Sequence, residues 1–284
     1  MSDSNTQSTL SKEQIDSVIA LYSNGQYQEA IDSIKGLTKN YTDDSLLHNI
    51  KGACYAGLGQ LASAVKSYEK SISIDPNYAK AYFNLGNIHK ESKLYDKAKK
   101  CYEKALEIDP NFPEVLNSLG NTYIELDQID NAVLTYQKAI EINPNFSEAY
   151  NSLGNIFLDQ VKLEDAVISY KKALEINPYH AMANFEYGLS ITSFGEFEKA
   201  NEYMIKSVEL NPISINETYT NTMLMLSNIG QRDFENALVY INKALEIEPN
   251  FTGGIGFKAS ILAHLDQIAE SKELLAQYQE KRPK

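Results

Sequence analysis

Asparagines recur along this chain at separations that would gather them on one helical face. Asn84 and Asn87 lie three apart, Asn117 and Asn121 four apart, Asn151 and Asn155 four apart, and Asn49 stands upstream. Residues three or four apart are neighbours on an α-helix surface. A carboxamide both donates and accepts, so a spaced row can pair with the backbone of an extended peptide without demanding particular side chains. Carboxylates at Glu114, Glu125, Glu148 and Asp159 join the row. Apolar residues flank it, Ile15 and Ile19 on one side and Met182, Phe185 and Leu189 on the other.

Chemistry of other kinds has little to work with. The histidines His48, His89, His180 and His264 are scattered, with no His-Glu-x-x-His or Cys-x-x-Cys partner, so no metal or cofactor site is expected. No glycine-rich phosphate loop is present. Cys54 and Cys101 read as small buried hydrophobes without a local activating base. One basic cluster, Lys93, Lys97, Lys99, Lys100 and Lys104, reads as solvated surface or a docking site. Nothing in the sequence supports an enzyme.

The elements that must position the asparagines follow from a strict period. Pro76, Pro110, Pro144, Pro178 and Pro212 stand 34 residues apart, Pro249 follows after 37, and Pro283 after another 34. Ala30, Ala64, Ala98, Ala132, Ala166, Ala200 and Ala237 keep the same clock, with Ser271 in the last slot. So do Gly52, Gly86, Gly120, Gly154 and Gly188, and Tyr68, Tyr102, Tyr136 and Tyr170. A fixed period of this length is the mark of a stacked repeat architecture. The clock divides the chain into a disordered tail, 1–10, and eight units: 11–44, 45–78, 79–112, 113–146, 147–180, 181–214, 215–251 and 252–284. The seventh unit has three extra residues; the sequence Gly230 to Phe234 suggests two in its internal turn and one in the preceding linker. Within 113–146, Leu116, Leu119, Gly120 and Tyr123 mark one face of a first helix, and Ala132, Tyr136 and Ala139 that of a second, ended by Asn143-Pro144.

The pattern resembles the tetratricopeptide repeat from Ser11 to Lys284. In 79–112 the residues Tyr82, Leu85, Gly86, Tyr95, Ala98, Tyr102, Ala105 and Pro110 occupy that family's signature positions. The first unit departs with Val18 and Thr42, the last with Ala259 and Ser271, as terminal repeats do. The resemblance implies an all-α, right-handed superhelical solenoid of eight helix-turn-helix repeats. It also implies a concave groove lined by first helices at the second, fifth, ninth, twelfth and thirteenth positions of each unit. The candidate peptide-contacting residues are therefore Asn49, Asn87, Asn117, Asn121, Asn151, Asn155, Glu114, Glu125, Glu148, Asp159 and Phe185, with Asn84 beside them at a sixth position. The ninth-position asparagines have a second reading, as a local interhelical hydrogen-bond feature. The repeats are closest in style to those of O-GlcNAc-transferase-type proteins, where Asn-Leu-Gly-Asn recurs; only Asn84 to Asn87 reproduces that string. A carboxylate clamp of the co-chaperone type would need cations where units 79–180 offer Phe83, Asn87, Ser118, Glu148 and Ser152, so that partner class is not expected.

The chain has 284 residues and a formal charge of −12. That excess disfavours a phosphate-neutralising nucleic-acid binder and adsorption to an anionic membrane. The units from Pro113 to Phe251 carry all of the −12, the remainder cancelling, so a basic or amide-rich protein or peptide partner is expected, associating faster at low salt. The function these features imply is a protein–protein interaction scaffold, cytoplasmic and monomeric, holding an extended or helical partner segment in its groove. Two alternatives remain open. The chain could be the substrate-recruiting arm of a larger glycosyl-, sulfo- or methyltransferase whose catalytic domain lies beyond residue 284, or it could self-assemble end to end.

Overall fold

The computed structural model describes residues 10–38, 44–211 and 216–281, with no account of side chains from 277 onward. Positions 1–9 of the expected tail, Thr42, Pro212 and Pro283 lie outside the described residues. Sixteen α-helices follow in order among the described residues. They are α1 (Lys12–Ser23), α2 (Tyr27–Leu37), α3 (Ser45–Gly57), α4 (Leu61–Ile74), α5 (Ala79–Glu91), α6 (Tyr95–Ile108), α7 (Pro113–Glu125) and α8 (Ile129–Ile142). The remainder are α9 (Ser147–Asp159), α10 (Leu163–Ile176), α11 (Ala181–Thr192), α12 (Phe197–Leu210), α13 (Glu217–Gly230), α14 (Phe234–Ile247), α15 (Thr252–His264) and α16 (Ile268–Lys281). The chain forms two compact units, Met1–Pro144 with α1 to α8 and Asn145–Lys284 with α9 to α16. In each unit consecutive helices pair as hairpins, and each hairpin packs on the next. First helices also touch one another, α1 on α3, α3 on α5 and α5 on α7 in one unit, α9 on α11 in the other.

Local chemistry sets the ends of these helices. Asp75, Asp109, Asn143 and Asn177 each leave the helix with φ between −127° and −129°, the extended conformation that a following proline imposes. Asp75, Asp109 and Asn177 then accept the backbone N–H two residues on, at 2.9, 3.1 and 3.1 Å, which tightens the linker into an Asx turn. Between the helices of each hairpin one residue takes positive φ: Gly25, Gly59, Lys93, Asp127, Val161, Gly195, Arg232 and Asp266. Val161 is the odd member, because a β-branched side chain is poorly accommodated at its φ of 61°.

That series corrects the expectation for the seventh repeat. Arg232 lies two residues before α14, as Gly195 lies two before α12, so the internal turn is not lengthened. The extra residues all lie between Pro212 and Arg232. Helix α13 has 14 residues where the other first helices have 12 or 13, and the rest falls in the linker, whose residues 212–215 are outside the described set. Gly230, read from sequence as a turn glycine, closes α13 instead.

At four of the five glycines of the series a ring occupies the place of the missing side chain. A Cβ on Gly52, Gly86, Gly120 or Gly154 would sit 2.5–2.6 Å from Cε1 of Tyr68, Tyr102, Tyr136 or Tyr170, the residue 16 further on. Those tyrosines are buried, as are the alanines of the clock from Ala30 to Ala237. Where the ring is absent the slot holds a larger residue in three repeats, Val18 before Ile34, Met225 before Ile241 and Ala259 before Leu275. Gly188 keeps its glycine because a Cβ there would meet the Ala200 carbonyl oxygen at 2.8 Å and Met204 Cγ at 3.0 Å. The last repeat's two departures also meet directly, since Ser271 Oγ donates to the Ala259 carbonyl at 2.7 Å. Size complementarity at this crossing keeps the hairpins close-packed, and overfilling such a site costs about 1–3 kcal/mol.

Candidate functional site

In the first unit, α1, α3 and α5 enclose a cleft of about 670 Å3. Its walls are apolar at Ile19, Tyr22, Leu46, Ile50, Phe83 and Ile88, with Lys80 among the lining residues. Three of the expected asparagines meet there, Asn49, Asn84 and Asn87. Asn84 Nδ2 donates to Asn49 Oδ1 at 2.9 Å, joining α5 to α3. Asn49 is 5% exposed yet lines the cleft. Phe83 packs on Phe112 and Tyr102, with ring centroids 5.3 and 6.1 Å away. The sequence reading missed Tyr68 and Phe83 as cleft residues. Their signal was available in the fifth position, where Phe83 interrupts the asparagines, and in the crossing that places each tyrosine.

The ninth-position asparagines serve the hairpin as well as its open face. Tyr102 Oη donates to Asn87 Oδ1 at 2.7 Å, Tyr136 Oη to Asn121 Oδ1 at 2.6 Å, and Tyr170 Oη to Asn155 Oδ1 at 2.8 Å. These bonds are how fully buried rings satisfy their hydroxyls. Burial pushes the Tyr102 and Tyr170 hydroxyls well above the ordinary phenol range, so both remain donors. The oxygen of each asparagine is thus committed, while its NH2 group donates to no described residue. At the fifth position, Asn117 Oδ1 and Asn151 Oδ1 are buried without a described hydrogen-bond partner.

In the second unit the open face of α9 and α11 is acidic. Burial, and then the charge of Asp159, push the Glu186 carboxyl up. No cation lies within salt-bridge distance of Glu186 or Asp159 among the described residues. Glu186 was not among the expected site residues, although it fills the sixth position held by Asn84, Ser118 and Ser152. Phe185 differs from expectation in being only 5% exposed. Its ring is covered by Tyr219 of α13 at 5.8 Å, and Tyr219, 45% exposed, is the ring on show. Glu114 is exposed on α7. Glu125, also exposed, accepts from the Tyr95 hydroxyl at the start of α6, and Glu148 accepts from Ser147 Oγ at 3.0 Å.

The nucleophiles are quiet. Cys54 and Cys101 are free thiols, each pushed up to about 11 by burial. Among the described residues no group of three or more His, Cys, Asp or Glu could hold a metal ion, and no helix is long and apolar enough to cross a membrane.

Helical hairpins stacked at one fixed period define an α-solenoid, a class in which each repeat packs mainly on its neighbours. The tetratricopeptide repeat models match residues 79–112 and 147–180, 52–93 and 120–161, and 101–133. The chain therefore carries tetratricopeptide repeats, matched over residues 52–180. It is 31% identical over 90 residues to Hsp70-Hsp90 organizing protein 3 of Arabidopsis thaliana, covering 32% of this chain and 16% of that protein. It is also 31% identical over 68 residues to the peroxisomal targeting signal receptor of Candida albicans, covering 24% and 12% respectively. The chain spans less than a fifth of the length of these curated relatives. For the fold alone, it superposes on a chain of the APC/C hetero-tetramer Cut9-Hcn1 with a TM-score of 0.70 at 16% identity, covering 86% of this chain and 48% of the other. The match to pilF of Pseudomonas aeruginosa has a TM-score of 0.68 at 20% identity, covering 76% and 97%.

Proposed function

We propose that this protein is an interaction scaffold whose first-helix face holds an extended segment of a partner protein. The observation that carries the reading is the set of tyrosine–asparagine pairs. Each fixes an asparagine by its oxygen and leaves an amide donor unpaired, which suits the carbonyls of a peptide backbone. Asn49, Asn84 and Asn87 supply polar groups to a cleft with apolar walls, and this mix of surfaces is typical of peptide grooves. The excess of acid from Pro113 to Phe251, with Glu186 and Asp159 unaccompanied by a cation, supports a partner that is basic or amide-rich where it meets α9 and α11. The likeness to Hsp70-Hsp90 organizing proteins supports a scaffold role. A clamp for a terminal carboxylate is not part of this reading, since Phe83 and Glu148 stand where such a clamp needs cations.

The test is affinity capture from a lysate of the source cells, comparing wild type with the Ile19→Asp, Lys80→Glu double variant. Both side chains are exposed cleft residues, so the fold survives the change. Captured proteins lost with the double variant support the reading. An unchanged set of captured proteins contradicts it.

A further inference from the structure

Four repeats seat a tyrosine over a glycine, but only three give its hydroxyl an asparagine. In 45–78 the ninth position is Ala53. Tyr68 sits over Gly52 as Tyr102 sits over Gly86, with Cε1 2.6 Å from the ideal Cβ position in both. Its hydroxyl is therefore delivered to the equivalent place beside position 53, where no carboxamide receives it. Tyr68 is 3% exposed and makes no hydrogen bond to any described residue, yet it lines the cleft together with Ala53. A hydroxyl on a buried ring that opens onto a cleft with no described protein acceptor is free to receive one from an incoming group, in place of water.

We propose that the partner supplies this group: an asparagine or glutamine side chain, carried on an apolar segment, enters the space above Ala53 and accepts the Tyr68 hydroxyl. The inference rests on the peptide-binding reading above. The other groups of the cleft fit a carboxamide. Asn49 and Asn87 have their oxygens committed and their NH2 groups unpaired, while Asn84 has donated to Asn49 and keeps its oxygen for the incoming NH2. A carboxylate would meet that same Asn84 oxygen and would lose its hydration beside an uncharged phenol, with Lys80 exposed and no other lining residue cationic. An incoming amide brings an NH2 donor for the Asn84 oxygen and an oxygen whose two lone pairs can accept from the Tyr68 hydroxyl and from one of the two unpaired NH2 groups. The apolar walls, Leu46, Phe83 and Ile88, take the flanking residues.

The experiment pans random dodecapeptides displayed on phage against the full chain and measures the enriched peptides by fluorescence anisotropy. The expected peptides carry Asn or Gln between apolar residues. Tyr68→Phe weakens them about fivefold, the loss of one neutral hydrogen bond, without lowering Tm, because the hydroxyl has no described protein partner to lose. Ala53→Asn supplies the amide from within the repeat, blocks the space, and abolishes binding while Tm holds or rises. Peptides that are weakened by Ile19→Asp but indifferent to Tyr68→Phe and Ala53→Asn, or that carry Asp or Glu in place of the amide, overturn this inference and leave peptide binding standing. Peptides indifferent to Ile19→Asp as well, or no enrichment at all, overturn both.

Discussion

Removing one hydroxyl from Tyr170 tests whether the tyrosine–asparagine pair links fold to open face. The ring is fully buried and its hydroxyl lies 2.8 Å from Asn155 Oδ1. In Tyr170→Phe the asparagine, which is exposed, regains water, so the loss is that of an ordinary hydrogen bond, about 1 kcal/mol. Asn155→Ala strands the phenol inside the hairpin, and an unsatisfied buried donor costs about 1–3 kcal/mol. The double variant restores compatibility, so the two losses do not add, and the coupling energy should be about 1 kcal/mol. The better helix propensity of alanine enters the single and double variants equally and cancels. Urea unfolding of the full chain, followed by circular dichroism, reads the four proteins of the cycle. For a cooperative unit the size of 145–284, calorimetry should show Tm falling by about 2–4 °C per kcal/mol. Additive losses, with coupling under about 0.3 kcal/mol, would refute the pairing.

Two further outcomes follow from backbone and charge. Val161 is 87% exposed at φ 61°, so Val161→Gly relieves about 1–2 kcal/mol of left-handed strain. The looser unfolded chain returns part of this, leaving a net gain of about 0.5–1 kcal/mol by urea unfolding; a loss of stability would contradict the strain. Glu186 has a carboxyl raised above its ordinary 4.5, so the folded state binds more protons than the unfolded and stability falls as pH rises through that window. Glu186→Gln should therefore raise Tm at pH 7, with an advantage that shrinks towards pH 4.5. A pH-independent difference would point to packing instead.

Much of this molecule was legible in its sequence because one period governs it. Pro110 and Pro144 fix the linkers, and Ala98 and Ala132 fix the tight crossings, so each hairpin could be placed from identities alone. The left-handed turn was less visible, since lysine, aspartate, valine and arginine occupy it as well as glycine; the extra residues of the seventh repeat were misplaced for that reason. At the site, helical spacing found the asparagines but not what holds them. The partner of Asn87 is Tyr102, 15 residues on and on another helix, a relation that needs the crossing geometry. Phe185 was expected on the open face by position, but Tyr219 from the next repeat covers it, and no count within one repeat shows that. Glu186 was missed because its significance lies in burial beside Asp159 rather than in its type.

The central claim is that partners are held on the first-helix face. A photo-crosslinking amino acid introduced at Ile19, 42% exposed in the cleft of α1, α3 and α5, reads that face directly. The same group at Leu134, 64% exposed on the second helix α8, reads the other. Irradiation in cells should give crosslinked partner bands from position 19 and none from position 134. Crosslinks from 134 with none from 19 would contradict the account.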